Sequence, residues 1–389
     1  MKIEYPFLFR KIKGKFVNRL NRFEVLVKIN KRKQRCYLPN SGKLIELLIP
    51  NKTELLLVKN KTQKNLRYTV LACYKNNKPL LLHTHLTNKI VSHLIKNNKI
   101  PFYRDLKVLK EEVRYEDCKF DLLLSDSDSK KIYLEVKTCT LFEGRIAMFP
   151  DAITLRGQKH LHKLYKLSNQ QIKSSILFVI MNPYIKYFLP AYHIDLEFAK
   201  LLLKIKDKVN IKAICIDWDS SFSFVTNIRE VKIPFEFIEK ELYDRGSYLL
   251  VIGLAKNIEL NIGSLGSLRF KKGYYVYVGS AKRGLSKRIK RHKRKLKKFR
   301  WHIDYLLKEA QIIQDFPIIT SLHVECNIAK KLEEISDEVL ENFGCSDCSC
   351  KTHLFYFKDN PTNNEKFINL VNFFRIKMLE KLLIGNDEI

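Results

Sequence analysis

The spacing of apolar residues changes along the chain, and this change constrains the fold more than any other feature of the sequence. Up to about residue 90, short apolar runs are separated by Asn, Lys and Gly, as in strands joined by turns. From about 90 to 235, runs of strand length alternate with segments in which apolar residues recur every three or four positions. The first pattern predicts a β domain and the second an α/β domain, so we expect a multidomain α/β (α+β) protein.

The first domain, expected over residues 1–88, contains five strand-like runs, which fit a small closed barrel of the OB type. OB barrels bind single-stranded nucleic acid through basic grooves and aromatic residues. Residues 38–50 predict a loop followed by one short helix. The polar residues 40–43 of this loop, which end in Lys43, fit either an anion-binding nest of backbone amides or a plain turn that caps the helix. The five runs are RFEVLVKI, KQRCYL, TELLLVK, LRYTVLACY and KPLLLHT.

Three further segments follow. We expect an α/β domain over 89–235, a junction at 234–246, a second α/β domain over 246–358 and a C-terminal helical tail over 359–389 that packs on the body. In the first α/β domain, the expected helices are NKIVSHLIKNN and RGQKHLHKLYKLSNQ, and the expected strands are KFDLLLS, KIYLEVKTC, SSILFVIM and KAICIDW.

Two acids and a lysine form a candidate catalytic group in the first α/β domain. FDLLLSDSDSKKIYLEVKT predicts a hairpin, in which Glu135 and Lys137 project from the same face of one strand. Asp121 approaches them from the paired strand, while Leu134 and Val136 point to the opposite face. Carboxylate oxygens suit Mg²⁺, which can polarise a phosphodiester and lower the pKa of bound water. The alternative for Glu135 and Lys137 is a salt bridge on an exposed strand.

Six segments of the first 235 residues read LPNSG (38–42), EVRY (112–115), FDLLL (120–124), LEVK (134–137), FPDAITLRGQKHL (149–161) and LPAYHID (189–195). In this order they resemble the sugar fermentation stimulation protein A family. The resemblance implies an OB-type domain joined to a PD-(D/E)XK nuclease-type core. It also implies DNA binding, because the family's best-known member is similar to a DNA-binding regulator.

The resemblance places Asp121, Glu135 and Lys137 on the nuclease-type motif, with the two acids as Mg²⁺ ligands. It adds Glu112 as a further candidate acid. The sequence departs from the family pattern at Lys119, where an arginine often precedes the aspartate, so a bidentate phosphate contact is not expected there.

The same resemblance singles out Arg156, Lys159 and His160 at the start of a helix beside this group. The positive end of the helix and these basic side chains can hold a phosphate. Alternatively, the three residues cap the helix and pair with Asp151.

The segment Lys282–Arg300 holds twelve Lys or Arg among nineteen residues and no acid. It predicts a basic helix with an apolar stripe of Leu285, Ile289, Leu296 and Phe299. Arg288 and His292 share the inward side of that stripe, which is typical of a functional site. The outward residues proposed to contact nucleic acid are Lys287, Lys290, Arg291, Lys293 and Arg294.

Two tyrosine-bearing strands precede this helix, with GSY at 246–248 and YVG at 277–279. Their order resembles the GIY-YIG nuclease fold, in a little-characterised domain that also occurs attached to DNA-repair proteins. The resemblance implies that two tyrosines orient or deprotonate water, an arginine holds the phosphate, a histidine moves protons and a glutamate binds a metal. For each tyrosine alone, a half-buried strand aromatic is the alternative, and the choice between binding and cutting stays open. The matching residues are Tyr248, Tyr277, Arg288, His292 and Glu325.

Metal-ligand residue types recur within nine positions of the same domain. Cys345, Cys348, Cys350 and His353 could surround one Zn²⁺ ion, although the usual second ligand pair further along the chain is missing. Reduced thiols in a tight turn, or a redox pair, are the alternatives.

The net charge of +31 predicts a polyanionic partner, namely nucleic acid, and we expect DNA rather than RNA. A general lysine bias is the alternative explanation of this charge. No apolar run approaches the ~18 residues of a membrane span, and the N-terminal MKIEYPFLFRK has no signal-peptide core. Nine cysteines, most of them scattered singly, suit a reduced compartment, so a cytoplasmic protein without membrane contact is expected.

Three hypotheses follow from the sequence. The first is a DNA-binding protein, regulatory in role, whose nuclease-type pockets hold phosphates. The second is a Mg²⁺-dependent nuclease that hydrolyses DNA or RNA in repair or processing. A scaffold recruited to nucleic acid by charge alone has the weakest support. The sequence leaves open whether either pocket cuts, and it leaves the oligomeric state open.

Overall fold

The computed structural model describes residues 3–4, 10–60, 66–75 and 77–387. The chain forms two compact units, Met1–Glu239 and Lys240–Ile389. Residues 1–11, in which no signal-peptide core was expected, lie mostly outside the described residues. Among the described residues, no helix is long and apolar enough to cross a membrane.

The first unit has a β-rich part followed by a part in which strands and helices alternate. Its strands are β1 (Ile3–Glu4), β2 (Lys11–Asn21), β3 (Glu24–Ile29), β4 (Arg32–Tyr37), β5 (Glu54–Lys59), β6 (Tyr68–Lys75), β7 (Lys78–Leu81), β8 (Lys107–Tyr115), β9 (Cys118–Ser125), β10 (Lys131–Cys139), β11 (Leu141–Glu143), β12 (Ile146–Phe149), β13 (Lys173–Ile180), β14 (Tyr187–Pro190), β15 (Asn210–Trp218) and β16 (Phe224–Glu230). Its helices are α1 (Thr87–Lys96), α2 (Leu155–Asn169) and α3 (Leu196–Lys204), and α4 (Phe235–Glu241) crosses the boundary between the units.

A barrel forms the β-rich part, with strand order β4-β3-β2-β5-β6-β7 and closure by parallel pairing of β4 with β6. The five predicted strands are confirmed as β3 to β7. Strand β2 was missed, because Lys and Asn dominate its sequence and only Gly14 and Phe16 are buried. Gly14 is needed where the strands approach closely, since a Cβ there would lie 2.6 Å from Val27 Cγ1.

The short helix predicted after LPNSG is wrong. Residues 45–47 form only a turn, because Leu44 has a positive φ of 53° and Pro50 prevents a longer helix. Leu44 and Leu47 are instead buried in the hydrophobic core of the first unit.

A seven-stranded sheet in the order β1-β16-β15-β13-β10-β9-β8 forms the α/β part of the first unit. Its central strands β10, β13 and β15 are parallel. Helix α1 packs on one face through Ile90 and Leu94, whereas α2 and α3 cover the other face through Leu164 and Phe198. The predicted helices and strands of this region are confirmed, and β11, β12 and β14 add a small separate sheet.

The second unit is built on a five-stranded sheet in the order β21-β17-β20-β23-β22, with β18 and β19 as a separate hairpin. Both predicted strands, in β17 and β20, lie side by side at its centre. Its strands are β17 (Gly246–Leu254), β18 (Ile258–Asn261), β19 (Ser267–Phe270), β20 (Gly273–Ala281), β21 (Gln311–Ile319), β22 (Glu338–Val339) and β23 (Leu354–Phe357). Its helices are α5 (Leu285–His292), α6 (His302–Glu309), α7 (Glu325–Glu333), α8 (Glu365–Asn372) and α9 (Met378–Asp387).

The basic helix is shorter than its apolar period predicts. Helix α5 ends at His292, so only Leu285 and Ile289 of the predicted stripe are buried. Leu296 is 94% exposed and Phe299 is 38% exposed, and both lie beyond the helix. Their place in the stripe was therefore wrong.

The predicted C-terminal helix forms as α8 and α9, joined by a π-helical turn over Phe373–Lys377. It packs on the sheet of its own unit, where the Phe367 ring lies 5.6 Å from that of Phe316 and 6.3 Å from that of Phe357.

Candidate functional sites

Asp121 lies where strands β9 and β10 separate. Their pairing ends at Leu122 and Leu134, so the backbone N–H of Val136 lacks a carbonyl partner on β9. The Asp121 carboxylate takes that place, since its Oδ2 accepts a hydrogen bond of 2.7 Å from Val136 N. Its Oδ1 accepts a second hydrogen bond from Asn88 Nδ2 on α1. The splayed hairpin thus turns an acid toward strand β10, and Asn88 is a partner that the sequence did not indicate.

Glu135 is the centre of this group. It lies on the middle of β10 and is 1% exposed, so the exposed-strand alternative is excluded. Its Oε1 accepts hydrogen bonds from Lys137 Nζ on the same strand and from His160 Nδ1 on α2. Its Oε2 is buried and has no hydrogen-bond partner. An unpaired buried carboxylate oxygen is costly, and such groups occur at catalytic sites or where a water or an ion binds.

The electrostatics of the two acids differ. Burial, and then the negative charge of Glu135, raises the pKa of Asp121 to about 7. Burial would also raise the pKa of Glu135, but Lys137 and His160 outweigh it and hold that pKa below its usual value. The negative charge of Glu135 therefore opposes ionisation of Asp121, while Glu135 itself is stabilised in its charged form by its two basic neighbours.

His160 is held in place by the start of α2. The Thr154 side chain caps this helix by accepting a hydrogen bond of 3.0 Å from Gly157 N. Asp195 caps α3, and it also accepts hydrogen bonds of 2.9 Å from Thr154 N and from Gln158 Nε2. The segments FPDAITLRGQKHL and LPAYHID are therefore linked through one carboxylate, and this link positions His160 over Glu135.

The other acids and bases predicted for this site lie apart from Glu135. Glu112, on the edge strand β8, forms an ion pair of 2.6 Å with Lys119. Lys159 pairs with Asp117 at 2.7 Å. Arg156 is exposed and places its Nε 3.5 Å from His160 Nε2, so of the three helix residues only His160 reaches the carboxylate.

Asp151 does not pair with these helix residues. Its Oδ2 accepts a hydrogen bond of 2.8 Å from Thr140 Oγ1. It also lies against the LPNSG loop, where a Cβ on Gly42 would stand 1.7 Å from Asp151 Oδ2. That loop, which includes the exposed Lys43, faces a carboxylate of the same chain, and this favours the plain turn over an anion nest.

In the second unit, Tyr248 and Tyr277 lie on neighbouring strands beside His292. The Tyr248 hydroxyl is 2.8 Å from His292 Nε2, and the two tyrosine rings are 6.3 Å apart. Burial raises the pKa of both phenols, and the next largest contribution comes from Tyr277 for Tyr248 and from Glu325 for Tyr277. Both hydroxyls therefore stay protonated at neutral pH, which suits orienting water rather than deprotonating it.

Asp304 organises the chain after α5. It is fully buried and receives a bidentate pair from Arg291 at 3.1 and 2.9 Å. Burial alone would raise the pKa of Asp304, but contacts with His292 and Arg291 hold this pKa below its usual value. Arg291 is thus tied to a buried acid and also lies over the Trp301 ring, 4.3 Å from its centroid. The remaining predicted contact residues, Lys287, Lys290, Lys293 and Arg294, are exposed.

Arg288 and Glu325 meet at Ser280 on β20. Arg288 Nη1 donates to the Ser280 carbonyl at 2.7 Å, and the Ser280 hydroxyl donates to Glu325 Oε2. Glu325 and Ser280 line an open cleft of about 240 Å³. The predicted residues of this unit therefore form two groups, a buried set around Tyr248 and an accessible set around Glu325.

The metal-ligand cluster of the second unit differs from the one predicted. Ligand atoms of four residues lie within 4.8 Å of one another, and they belong to Cys326, Cys348, Cys350 and His353. Cys345 lies outside this group, and its Sγ is 3.6 Å from the Lys351 carbonyl oxygen. Cys326, on the first turn of α7, was missed because it lies far from the cysteine-rich turn along the chain.

Family models match three parts of the chain. Residues 17–82 match the SfsA N-terminal OB domain, and residues 85–222 match the sugar fermentation stimulation protein RE domain. A sugar fermentation stimulation protein homolog of Clostridium kluyveri is 32% identical over 222 residues, which are 57% of this chain and 96% of the relative. The chain belongs to this family.

Further comparisons agree with this assignment. A homolog from Clostridium botulinum (strain Langeland) is 34% identical over 214 residues, which are 54% of this chain and 93% of the relative. A solved structure of Pyrococcus furiosus SfsA in complex with Ca²⁺ has a TM-score of 0.55 and 28% identity, and covers 60% of this chain and 99% of its own.

The second unit matches a different family model. Residues 247–376 match a domain of unknown function, DUF123. The chain therefore combines the OB and nuclease-like domains of the sugar fermentation stimulation family with a C-terminal GIY-YIG-like domain, as its motifs predicted.

Proposed function

We propose that the chain binds nucleic acid, DNA in the first place, through a divalent cation held by Asp121 and Glu135. The observation that carries this proposal is the unpaired, buried Glu135 Oε2 beside a second carboxylate whose pKa is raised. Mg²⁺ and Ca²⁺ prefer carboxylate oxygens. A bound cation would offset the repulsion between the two acids and would attract a phosphate oxygen.

Three further facts support a cation and a phosphate here. A family relative has been solved in complex with Ca²⁺. The chain's net charge of +31 would draw a polyanion to its surface, where counterion release favours binding. Arg156 and Lys159 are exposed at the start of α2, on the same helix as His160.

The test is DNA affinity with and without the cation. Labelled single-stranded, double-stranded and branched DNA, and RNA, are titrated with protein in Ca²⁺ or EDTA, and binding is followed by fluorescence anisotropy. Ca²⁺ is expected to tighten wild-type binding by roughly tenfold, about 1.4 kcal/mol. Glu135→Gln should abolish this gain, while Glu112→Gln, which removes an exposed acid from the same unit, should keep it. Equal affinity of wild type in Ca²⁺ and EDTA would overturn the proposal.

A second candidate function is Mg²⁺-dependent hydrolysis of phosphodiesters. Lys137 favours it, because its amine shares a Glu135 oxygen with His160 and stands where an attacking water could be oriented. The cation would supply Lewis acidity, and Lys137 would position the nucleophile.

The GIY-YIG-like unit would provide a second site for the binding and hydrolysis of phosphodiesters. Arg288 would hold the phosphate beside Ser280, and Glu325 would hold a cation in the open cleft. Tyr248 and Tyr277 would act as protonated donors and His292 as the proton carrier. These roles rest on the motif order and on the contacts around Ser280.

Cleavage is tested on gels with Mg²⁺, Mn²⁺ or EDTA. If the first pocket cuts, Lys137→Ala should lose cleavage and retain Ca²⁺-dependent binding, whereas Glu135→Ala loses both. If the second pocket cuts, Tyr277→Phe or Glu325→Gln should lose cleavage instead. Bound but uncut DNA in every metal would reject hydrolysis and leave the binding function.

A further inference from the structure

Three thiols and an imidazole meet at one point of the second unit. Cys326 comes from the first turn of α7, and Cys348, Cys350 and His353 come from the turn that leads into β23. Their ligand atoms lie within 4.8 Å of one another, and Cys348 Sγ is 3.5 Å from His353 Nε2. We propose that these four residues bind one structural Zn²⁺ ion.

The spacing suits tetrahedral zinc. Zn–S bonds of ~2.3 Å place ligand atoms roughly 3.8 Å apart at the corners of a tetrahedron. No pair of ligand atoms would need to close by more than about 1 Å to reach this spacing. Three cysteines and one histidine are a common donor set for structural zinc, and soft thiolates disfavour Mg²⁺ and Ca²⁺.

The backbone of the cysteine-rich turn is already folded around this point. Asn342 N donates to the Lys351 carbonyl at 2.8 Å, and His353 N donates to the Phe343 carbonyl at 2.8 Å, which closes the loop. Gly344 has a φ of 73°, which a residue with a Cβ adopts only at a cost. The turn thus presents its ligands from a closed loop, and α7 supplies the fourth ligand from outside that loop.

The zinc ion would also fix the position of Glu325, a consequence that rests on the function proposed for the second unit. Glu325 precedes the ligand Cys326 on α7, and its Oε1 lies 3.4 Å from His353 Nδ1. An imidazole that binds zinc through Nε2 presents Nδ1–H to a carboxylate, the usual arrangement of zinc-bound histidines. Glu325 would therefore be held from both sides, by His353 and by Ser280. Glu325 would thus be positioned by the zinc ion without being one of its ligands.

The zinc content of the full-length protein tests the site independently of nucleic acid. Wild type, purified without added metal, should contain one Zn²⁺ per chain, and Cys326→Ser should lose it. Cys345→Ala is the matched control, because Cys345 lies in the same turn but outside the ligand group, and it should keep the ion. A wild type without zinc, or zinc lost from Cys345→Ala and kept by Cys326→Ser, would overturn the proposal.

Two further measurements guard against variants that fail to fold. Cobalt substituted into wild type should give the thiolate charge-transfer and d–d bands of a tetrahedral site, unchanged in Cys345→Ala, and their absence would contradict the assignment. His353→Cys should retain zinc but remove the imidazole from Glu325. If the second pocket cuts, this variant should lower its turnover, and unchanged turnover would overturn the positioning role alone.

Discussion

At the scale of single residues, the first site pairs Glu135, whose charged form its basic neighbours stabilise, with Asp121, whose ionisation is opposed by burial. The sequence predicted that Asp121, Glu135 and Lys137 project together, because strand alternation fixes side-chain direction. It could not predict that Asp121 replaces a backbone acceptor or that one Glu135 oxygen stays unpaired, since both depend on where β9 and β10 separate.

Replacing Asp121 with Asn is therefore expected to stabilise the cation-free protein at high pH. The folded-state pKa of Asp121 is about 7, above the ordinary value of 3.8, so the folded state binds this proton more tightly than the unfolded state does. The carboxyl then lowers the free energy of unfolding as pH rises from about 4 to 7. In EDTA, the free energy of unfolding of Asp121→Asn should exceed that of wild type by roughly 2–4 kcal/mol near pH 8. The amide of Asn88 can turn to match the new side chain.

Urea unfolding at the two ends of this pH range measures the difference. The gain of the variant should vanish near pH 4, where wild-type Asp121 is protonated. A variant less stable than wild type near pH 8 would show that the charged carboxylate is favourable there, against the repulsion described above.

Gly279 is the last residue of the YVG motif, and the structure explains why a glycine lies there. A Cβ at this position would stand 2.4 Å from the hydroxyl of Tyr248, which is 2% exposed. Gly279→Ala should cost about 1–3 kcal/mol in thermal or denaturant unfolding. Gly253→Ala is the control, since its Cβ would meet only the movable end of Ile313, which is 48% exposed, and should cost less than about 1 kcal/mol. Equal costs would mean that the Tyr248 ring can move aside.

At the scale of elements, apolar periodicity predicted where helices and strands form better than where they end. The stripe of the basic helix continues in sequence to Phe299, but the chain turns after His292 to bring Arg291 and the amides of residues 300 and 301 onto Asp304. An acid that lies in a later segment and is contacted by the helix leaves no signal in the periodicity of the helix. The same holds for Cys326, which only the packing of α7 brings to the cysteine-rich turn.

The end of this helix can be tested by paired substitutions. Leu285 is fully buried, so Leu285→Ala should destabilise the second unit by about 2–5 kcal/mol. Leu296 is 94% exposed, and Leu296→Ala should change stability by less than about 0.5 kcal/mol. A large cost at Leu296, measured by the same denaturant titration, would mean that the stripe predicted from sequence does continue.

At the scale of the whole molecule, motif order was the most informative signal. It predicted the OB, nuclease-like and GIY-YIG-like parts in their correct sequence, and the family matches agree with all three. Strand β2 and the small sheet of β11, β12 and β14 were missed, because they are short or rich in polar residues and are specified by their neighbours. The charge of +31 indicated a partner class but no site.

The contributions of charge and cation to DNA binding should separate. Replacing the exposed residues Lys287, Lys290, Lys293 and Arg294 with Gln should weaken binding across sequences and reduce the slope of log affinity against log salt by about one per lost phosphate contact. Glu135→Gln should leave that slope unchanged while removing the Ca²⁺ dependence. Anisotropy titrations over a range of salt give both quantities, and an unchanged slope in the fourfold variant would exclude this surface from the interface.

The central claim is that Asp121 and Glu135 form a divalent-cation site, and calorimetric titration of Ca²⁺ into the metal-free protein tests it most directly. Wild type and Glu112→Gln should show the same saturable binding. Asp121→Asn and Glu135→Gln should each lose that component, because each removes one carboxylate from the pair. Binding that persists unchanged in both variants, or no binding by wild type, would contradict the account.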